Sequence, residues 1–389
     1  MLRALERIRD PQDAKAVRAA VGALYRSWLE DGAEALQAAV ASDGMPDPPD
    51  PPAPSSGEVF LFVDALRYDL GQSLADRLRF ADFDVEMDAH WAALPSVTPT
   101  SKPAVSPIAD DISRQSTPEG FQAELDGKPL NIRRFRTRMQ ERGHQILESD
   151  DTGDPTGTAW AEIGTVDQHG HNEEWKLARR IDELMTEITA RVRTLLEAGW
   201  DTVQIVTDHG WLLVPDELPK EDLPHYLAKT RWGRCATLNE RAEVEHMTVG
   251  WHWNPDVRIA MAPDIQVHKR GIGYTHGGIS VQECLVPRLH VQADGADGPA
   301  PQIASLDWVR LRCRFQIDHP STGLTVDLRT RANDPSTSVA ARPKAVKEDG
   351  TASLVVPTPD EEGSAVTAVL LDEDDDVIHT HPTTVGGHE

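Results

Sequence analysis

Six residues of this chain pair carboxylate oxygen with imidazole nitrogen at points where a fold can gather them. They are Asp64, Asp167 with His171, Asp208 with His209, and His276. Together these donors suit zinc, manganese or iron. Asp208-His209-Gly210 follows an apolar run; neighbours at a strand end point in different directions, and the glycine lets the backbone turn away. In Asp167-Gln-His-Gly-His171 an Asp and a His four apart flank a glycine-containing turn and can grip one ion. His169 has the same chemistry, and spacing alone leaves it open. His276 lies in the loop YTHGG. Taken singly, an Asp after a strand is commonly a helix cap, and a lone histidine commonly a core or surface residue. The coincidence of several in one fold points to a metal site.

These residues need elements that bring them together. EVFLFVD (58–64), AEIGTVD (161–167) and TVQIVTD (202–208) are short apolar runs, each ending in Asp, and predict strands covered on both faces. VRIAMAP (257–263) predicts a fourth. Leu66, Leu70, Leu74 and Leu78 recur every four residues, as in a helix. Asn172 is a candidate cap for the next helix, whose stripe is Ile181, Leu184, Met185, Ile188, Val192, Leu195 and Leu196, with Gly199 closing it. The alternation predicts an α/β domain over 58–294, with a mostly parallel sheet flanked by helices. Ligands of such sheets gather at the carboxyl ends of the strands.

Three further regions surround that domain. Residues 1–41 predict a helical segment: Asp10 can cap it, Pro11 suits its first turn, and Val17, Val21, Leu24, Tyr25, Trp28 and Leu29 form one apolar stripe. Residues 42–57, SDGMPDPPDPPAPSSG, predict an extended Pro/Asp-rich linker. From 298 to 389 helical periodicity stops. Short β-prone runs such as VRLRCRFQI and AVTAVLL alternate with turn signals, predicting an Ig-like β-sandwich.

Composition narrows the function. The 389 residues carry 64 acidic against 39 basic groups, a formal charge of −25. That excludes bulk attraction to a nucleic-acid backbone as the main binding mode, though not a local basic patch. Mean hydropathy is −0.44, no apolar run spans a bilayer, and Met1 opens a charged segment unlike a signal peptide. A cytoplasmic protein without membrane contact is expected. Cys235, Cys284 and Cys313 are odd in number and in no CxxC pair, which excludes a disulfide framework and a thiolate zinc site.

VDALRYD (63–69), VDQHGH (166–171), VTDHG (206–210) and THGGISVQECLVP (275–287) resemble, in order, the motifs of the PglZ domain, a member of the alkaline phosphatase superfamily. The resemblance spans roughly 58–290. It implies an alkaline-phosphatase-like core with two divalent metals, zinc or else manganese. One would be held by Asp64, Asp208 and His209, the other by Asp167, His171 and His276. Two such ions, about 4 Å apart, clamp an in-line displacement. The superfamily also needs a hydroxyl nucleophile between the first two metal motifs. LPSVTPTSKPAVSP (94–107) lies there, and the LP-x-x-T pattern picks out Thr98, with Thr100 and Ser101 as fallbacks. Lowering of the hydroxyl pKa by a metal would activate it. Arg67, just past Asp64, could pair with a phosphate oxygen; an exposed helix-start arginine accounts for it equally. A sulfatase is excluded, because Ser101-Lys102-Pro103-Ala104-Val105 lacks the required arginine.

The resemblance further implies a metal-dependent phosphohydrolase or phosphodiesterase in a BREX-type phage-defence system, acting beside other BREX proteins. Its substrate would be a phosphodiester, nucleic-acid-derived or otherwise. Pro99, Pro103 and Pro107 depart from the family pattern: Pro99 suits a first helical position, whereas Pro103 and Pro107 would interrupt a helix. They favour the alternative, a catalytically weak or inactive scaffold of the same complex.

Overall fold

The computed structural model describes the chain apart from residues 7–9, 49–52, 118, 225–226, 240–241, 294–300, 319, 321–322, 333, 348, 373–374, 376 and 388–389. Part of the expected linker, 49–52, therefore lies outside the described residues. The chain divides into two compact units, Met1–Asp294 and Gly295–Glu389.

The first unit is built on β1 (Glu58–Val63), whose residues Val59 to Val63 are all 2% exposed or less. Their side chains alternate between two cores. Val59, Leu61 and Val63 face one with α2 (Tyr68–Phe80) and α6 (Ile181–Glu197). Phe60 and Phe62 face the other, with Phe135 from α4 (Ile132–Glu141). Each such side chain contributes about 1.5–3 kcal/mol on burial, which is why the run has no polar face. Six strands form the sheet, in the order β2 (Phe83–Trp91), β6 (Leu285–Ala293), β5 (Thr202–Val206), β1, β4 (Thr158–Ile163), β3 (His144–Leu147). β5, β1, β4 and β3 run parallel, whereas β6 is antiparallel to both β2 and β5. This is the mostly parallel, helix-flanked sheet the sequence predicts.

Local departures have local causes. The segment 161–167 is not one strand. Gly164, at φ 90°, ends it, and α5 (Val166–Glu173) begins at once, so Asp167 sits in a first helical turn and Asn172 lies inside a helix rather than capping one. The 257–263 run overlaps Asn254–Met261, which joins a separate antiparallel sheet of four short strands and stops two residues before the run does. Gly199, at φ 98°, follows the end of α6 as expected.

The N-terminal helix, α1, runs Pro11–Asp43, and Asp10 accepts from the Gln12 N–H at its start. It is part of the first unit: Arg18 donates to the Pro215 carbonyl and Gln37 to those of Asp264 and Ile279. Of its expected stripe Leu29 is fully buried, while Leu24 and Trp28 are exposed.

The second unit has a three-stranded sheet of β7 (Gln302–Val309), β8 (Arg312–Asp318) and β11 (Thr351–Val355). A four-stranded sheet contains β9 (Thr325–Arg329), β10 (Lys344–Ala345), β12 (Ala365–Leu371) and β13 (Val377–Thr384). All pairings are antiparallel. Trp308, Phe315 and Ile317 of one sheet share a core with Val326, Leu328 and Leu370 of the other, the arrangement of a β-sandwich.

Candidate metal centre

Because β1 and β5 are parallel neighbours, their carboxyl ends open on the same edge. The turn after β1 is tied to the end of β5: the Ala65 N–H donates to Asp208 Oδ1 (3.2 Å) and the Leu66 N–H to Thr207 Oγ1 (2.9 Å). Ala65 is in the left-handed region (φ 60°), which turns the chain back at Asp64. The loop carrying His276 arrives through Tyr274–Thr275, paired with Leu212–Leu213 just beyond His209.

The six residues meet here. Ligand atoms of Asp64, Asp208 and His209 lie within 4.8 Å of one another, as do those of Asp167, His209 and His276. The two imidazoles His209 and His276 stack at 3.9 Å between centroids. His171 is at the open side, its Nε2 3.3 Å from His276 Nε2 and 3.6 Å from Asp167 Oδ2. His169 turns instead to Glu173 (2.8 Å).

Proton positions follow from the partners. His209 Nδ1 lies 2.9 Å from the Gly210 carbonyl, and His276 Nδ1 3.0 Å from that of Ser96. A carbonyl can only accept, so both Nδ1 atoms donate, and in a neutral ring the lone pair is then on Nε2. His209 Nε2 looks at Asp208 Oδ2 (3.4 Å) and Asp64 Oδ1 (3.9 Å), and His276 Nε2 at Asp167 Oδ1 (3.5 Å). With neutral rings and ionised carboxylates these would be acceptors facing acceptors. Asp64 Oδ1 and Asp208 Oδ2 are buried and have no hydrogen-bond partner among the described residues. Burial first, and then the neighbouring Asp208, pushes the Asp64 carboxyl up to about 8; burial pushes Asp208 up to about 7. His276 is driven down to about 4, by burial and then by His209. Buried ligand atoms crowded so closely that their carboxyls hold on to protons are what a divalent cation relieves, by taking the place of those protons. The donor set, carboxylate oxygen and neutral imidazole, fits that group.

Thr98 opens α3 (Thr98–Ala104), and its Oγ1 is 3.1 Å from Nε2 of His209. Pro99 stands in the first turn of that helix and Pro103 inside it, but the helix stops at Ala104. A seven-residue helix has few interior bonds to lose, and Pro107 falls beyond it, so the prolines shorten α3 without unseating Thr98. The fallbacks are turned elsewhere: Thr100 donates to the Phe121 carbonyl and Ser101 to that of Ala93. Arg67 is buried, forks onto Asp69 (2.5 and 2.6 Å) and lies 4.0 Å over the Trp211 ring; none of its hydrogen bonds reaches the six candidates.

A family described as the BREX system PglZ alkaline phosphatase-like domain matches residues 52–291. The chain belongs to the PglZ family. All six ligand candidates and Thr98 fall inside that PglZ match. No curated protein matches the chain. Among solved structures, murine ectonucleotide pyrophosphatase/phosphodiesterase 5 is similar at 11% identity and a TM-score of 0.40, over 60% of this chain and 87% of that one. An inactive variant of the murine protein in complex with AMP matches at 10% identity and 0.41, over 62% and 88%. The human protein matches at 11% and 0.38, over 60% and 87%.

Two residues of this PglZ domain that sequence reasoning passed over hold the site in place. The Tyr274 hydroxyl donates to Asp167 Oδ1 (2.9 Å), and Gly170 makes room for it, since a Cβ there would meet the ring at 2.2 Å. Glu283 is fully buried and takes the Gly278 N–H, the Ser280 hydroxyl and the Arg234 guanidinium. It thereby fixes the loop behind His276. Its place between HGG and Pro287 was the available signal.

Proposed function

We propose that this PglZ domain is a divalent-metal-dependent phosphodiesterase or phosphohydrolase with Thr98 as its nucleophile, working beside other proteins of a BREX defence system on a phosphodiester substrate. The observation that carries the reading is the Thr98 hydroxyl, 3.1 Å from Nε2 of His209, the residue common to the two groups of converging ligand atoms. Asp64, Asp208 and His209 would hold one cation and Asp167, His171 and His276 a second, zinc or manganese. These ions would neutralise phosphate oxygens and lower the hydroxyl pKa.

The chain's own residues would do the rest. His209 Nε2, which would give its lone pair to the cation, keeps Oγ1 at 3.1 Å beside that site, and the Thr98 proton would pass to solvent. Oγ1 bonds to phosphorus as the ester oxygen leaves and takes up a proton. Water then cleaves the phosphothreonine and restores the hydroxyl. Ser96 keeps the nucleophile loop against the ligands, since its carbonyl accepts from His276 and its hydroxyl donates to the Gly278 carbonyl (3.0 Å).

The test is turnover of bis(p-nitrophenyl) phosphate and p-nitrophenyl phosphate, beside metal content by elemental analysis. Thr98→Ala should lose at least about a thousandfold in kcat with metal retained. Asp208→Ala should lose both. Metal-loaded protein that cleaves neither ester, or a Thr98→Ala variant that turns over normally, would overturn the reading.

A further inference from the structure

The second unit carries a cationic groove in a chain whose net charge is −25. Along β8 the residues alternate: Cys313, Phe315 and Ile317 are buried, and Arg312 and Arg314 point outward. Two residues on one face of a strand stand roughly 7 Å apart. β10 and the turn after it add Lys344 and Lys347 to the rim, and the groove between has a volume of about 690 Å³.

Three features show that this is more than a solvated sheet face. Arg312, Arg314, Lys344 and Lys347 form no ion pair with any described residue. Asp307, across the sheet from Arg314, is the one described carboxylate lining the groove; Asp349, beside Lys347, stays ionised and accepts from the Thr351 N–H and hydroxyl, so the rim keeps four cations against these two carboxylates. Ser353 also lines the groove, and its Oγ is buried without a hydrogen-bond partner among the described residues. A buried hydroxyl left unanswered costs free energy unless something entering the groove answers it.

The cations stand along a strand, a second short strand and a turn rather than around one point, so they suit a string of monoanions better than a single phosphate. Among the described residues lining the groove there is no exposed ring for a base to stack on, since Phe315 is 2% exposed. Contact would therefore be with backbone phosphates and blind to sequence. We infer that this groove binds the phosphodiester backbone of nucleic acid. It supplies locally the positive charge that the molecule as a whole lacks. Four phosphate contacts give a log–log salt slope of about −3.6 on duplex and −2.8 on single strands, with a Kd on the order of micromolar or weaker.

The experiment is fluorescence anisotropy of the full chain with a labelled 20-mer DNA, duplex and single-stranded, from 50 to 200 mM NaCl in EDTA. Saturable, salt-dependent binding is expected. Arg312→Glu with Arg314→Glu should weaken it at least about tenfold, and Lys344→Ala with Lys347→Ala should flatten the slope by about 2. Arg331→Glu, which breaks the exposed pair with Asp334, should change affinity less than about twofold. Arg312→Lys with Arg314→Lys keeps the charge and should keep binding even if the reversal perturbs folding. Absence of saturable binding to both DNA forms at 50 mM salt would overturn the inference. So would unchanged affinity and slope in groove variants of normal melting temperature, or tenfold tighter binding of a doubly phosphorylated peptide than of either DNA. Thr98→Ala should bind like the wild type, so this result and the hydrolysis result fail independently.

Discussion

Asp208 shows how a site can cost a protein stability. It is fully buried, one oxygen holds Ala65 and His209 N–H groups, and the other faces His209 Nε2 at 3.4 Å with no hydrogen bond among the described residues. A buried charge with no counter-charge is expensive. Asp208→Asn should therefore raise the melting temperature in EDTA and abolish the rise that Zn2+ or Mn2+ gives the wild type, as scanning fluorimetry would show. A variant less stable in EDTA, or one still stabilised by metal, would contradict the assignment. Tyr274→Phe keeps the ring and removes one hydrogen bond to Asp167, so metal affinity should fall about 10–100-fold in a chelator competition while the fold persists. His252 tests pH. Burial, and then Arg114 close by, holds its pKa down to about 4. The folded state thus binds fewer protons than the unfolded one, and the contribution is complete above about 6.5 and lost as pH falls toward 4. His252→Gln should lessen the drop in melting temperature between pH 6.5 and 4.5.

The elements differ in how far the sequence exposes them. β1, β5 and α6 are legible because each buries an unbroken run or stripe, so residue type and burial agree. Sequence pattern puts Asp167 at a strand end, whereas one glycine with positive φ puts it in a helix; the residue is the same, its support is not. β2 escapes notice because it is a sheet edge whose residues are mostly exposed or half-buried, and β6 because Pro287 interrupts its apolar pattern. The ligand types can be read from the chain, but Tyr274 cannot be chosen, since its partner Asp167 is 107 residues away. Two glycines separate local propensity from tertiary fit. Gly32 lies inside α1, and a Cβ added to it would meet nothing within 4 Å; one added to Gly210 would stand 2.0 Å from the Gln282 carbonyl oxygen. Gly32→Ala should stabilise the chain by up to about 1 kcal/mol. Gly210→Ala must push the loop after His276 off the ligands, and should lower both the denaturation midpoint and metal affinity.

At the scale of the whole molecule the proposed activities divide between two compact units. One holds the ligand sets and Thr98, the other the cationic groove. Each has its own apolar core, centred on β1 in the first and on Trp308, Phe315 and Leu328 in the second, so each should unfold as a cooperative block. A ligand stabilises only the block to which it binds, by about 2.7 kcal/mol at a free concentration a hundredfold above Kd. For a block of nearly 300 residues that moves the midpoint by roughly 5–10 °C at most. Calorimetry of the intact chain should accordingly show two transitions. Divalent metal should raise one of them, a response that Asp208→Ala should abolish, and a short duplex in EDTA should raise the other. A single transition that both ligands shift together would refute the division, and a metal response in the transition retained by residues 301–389 alone would place the cations in the wrong unit.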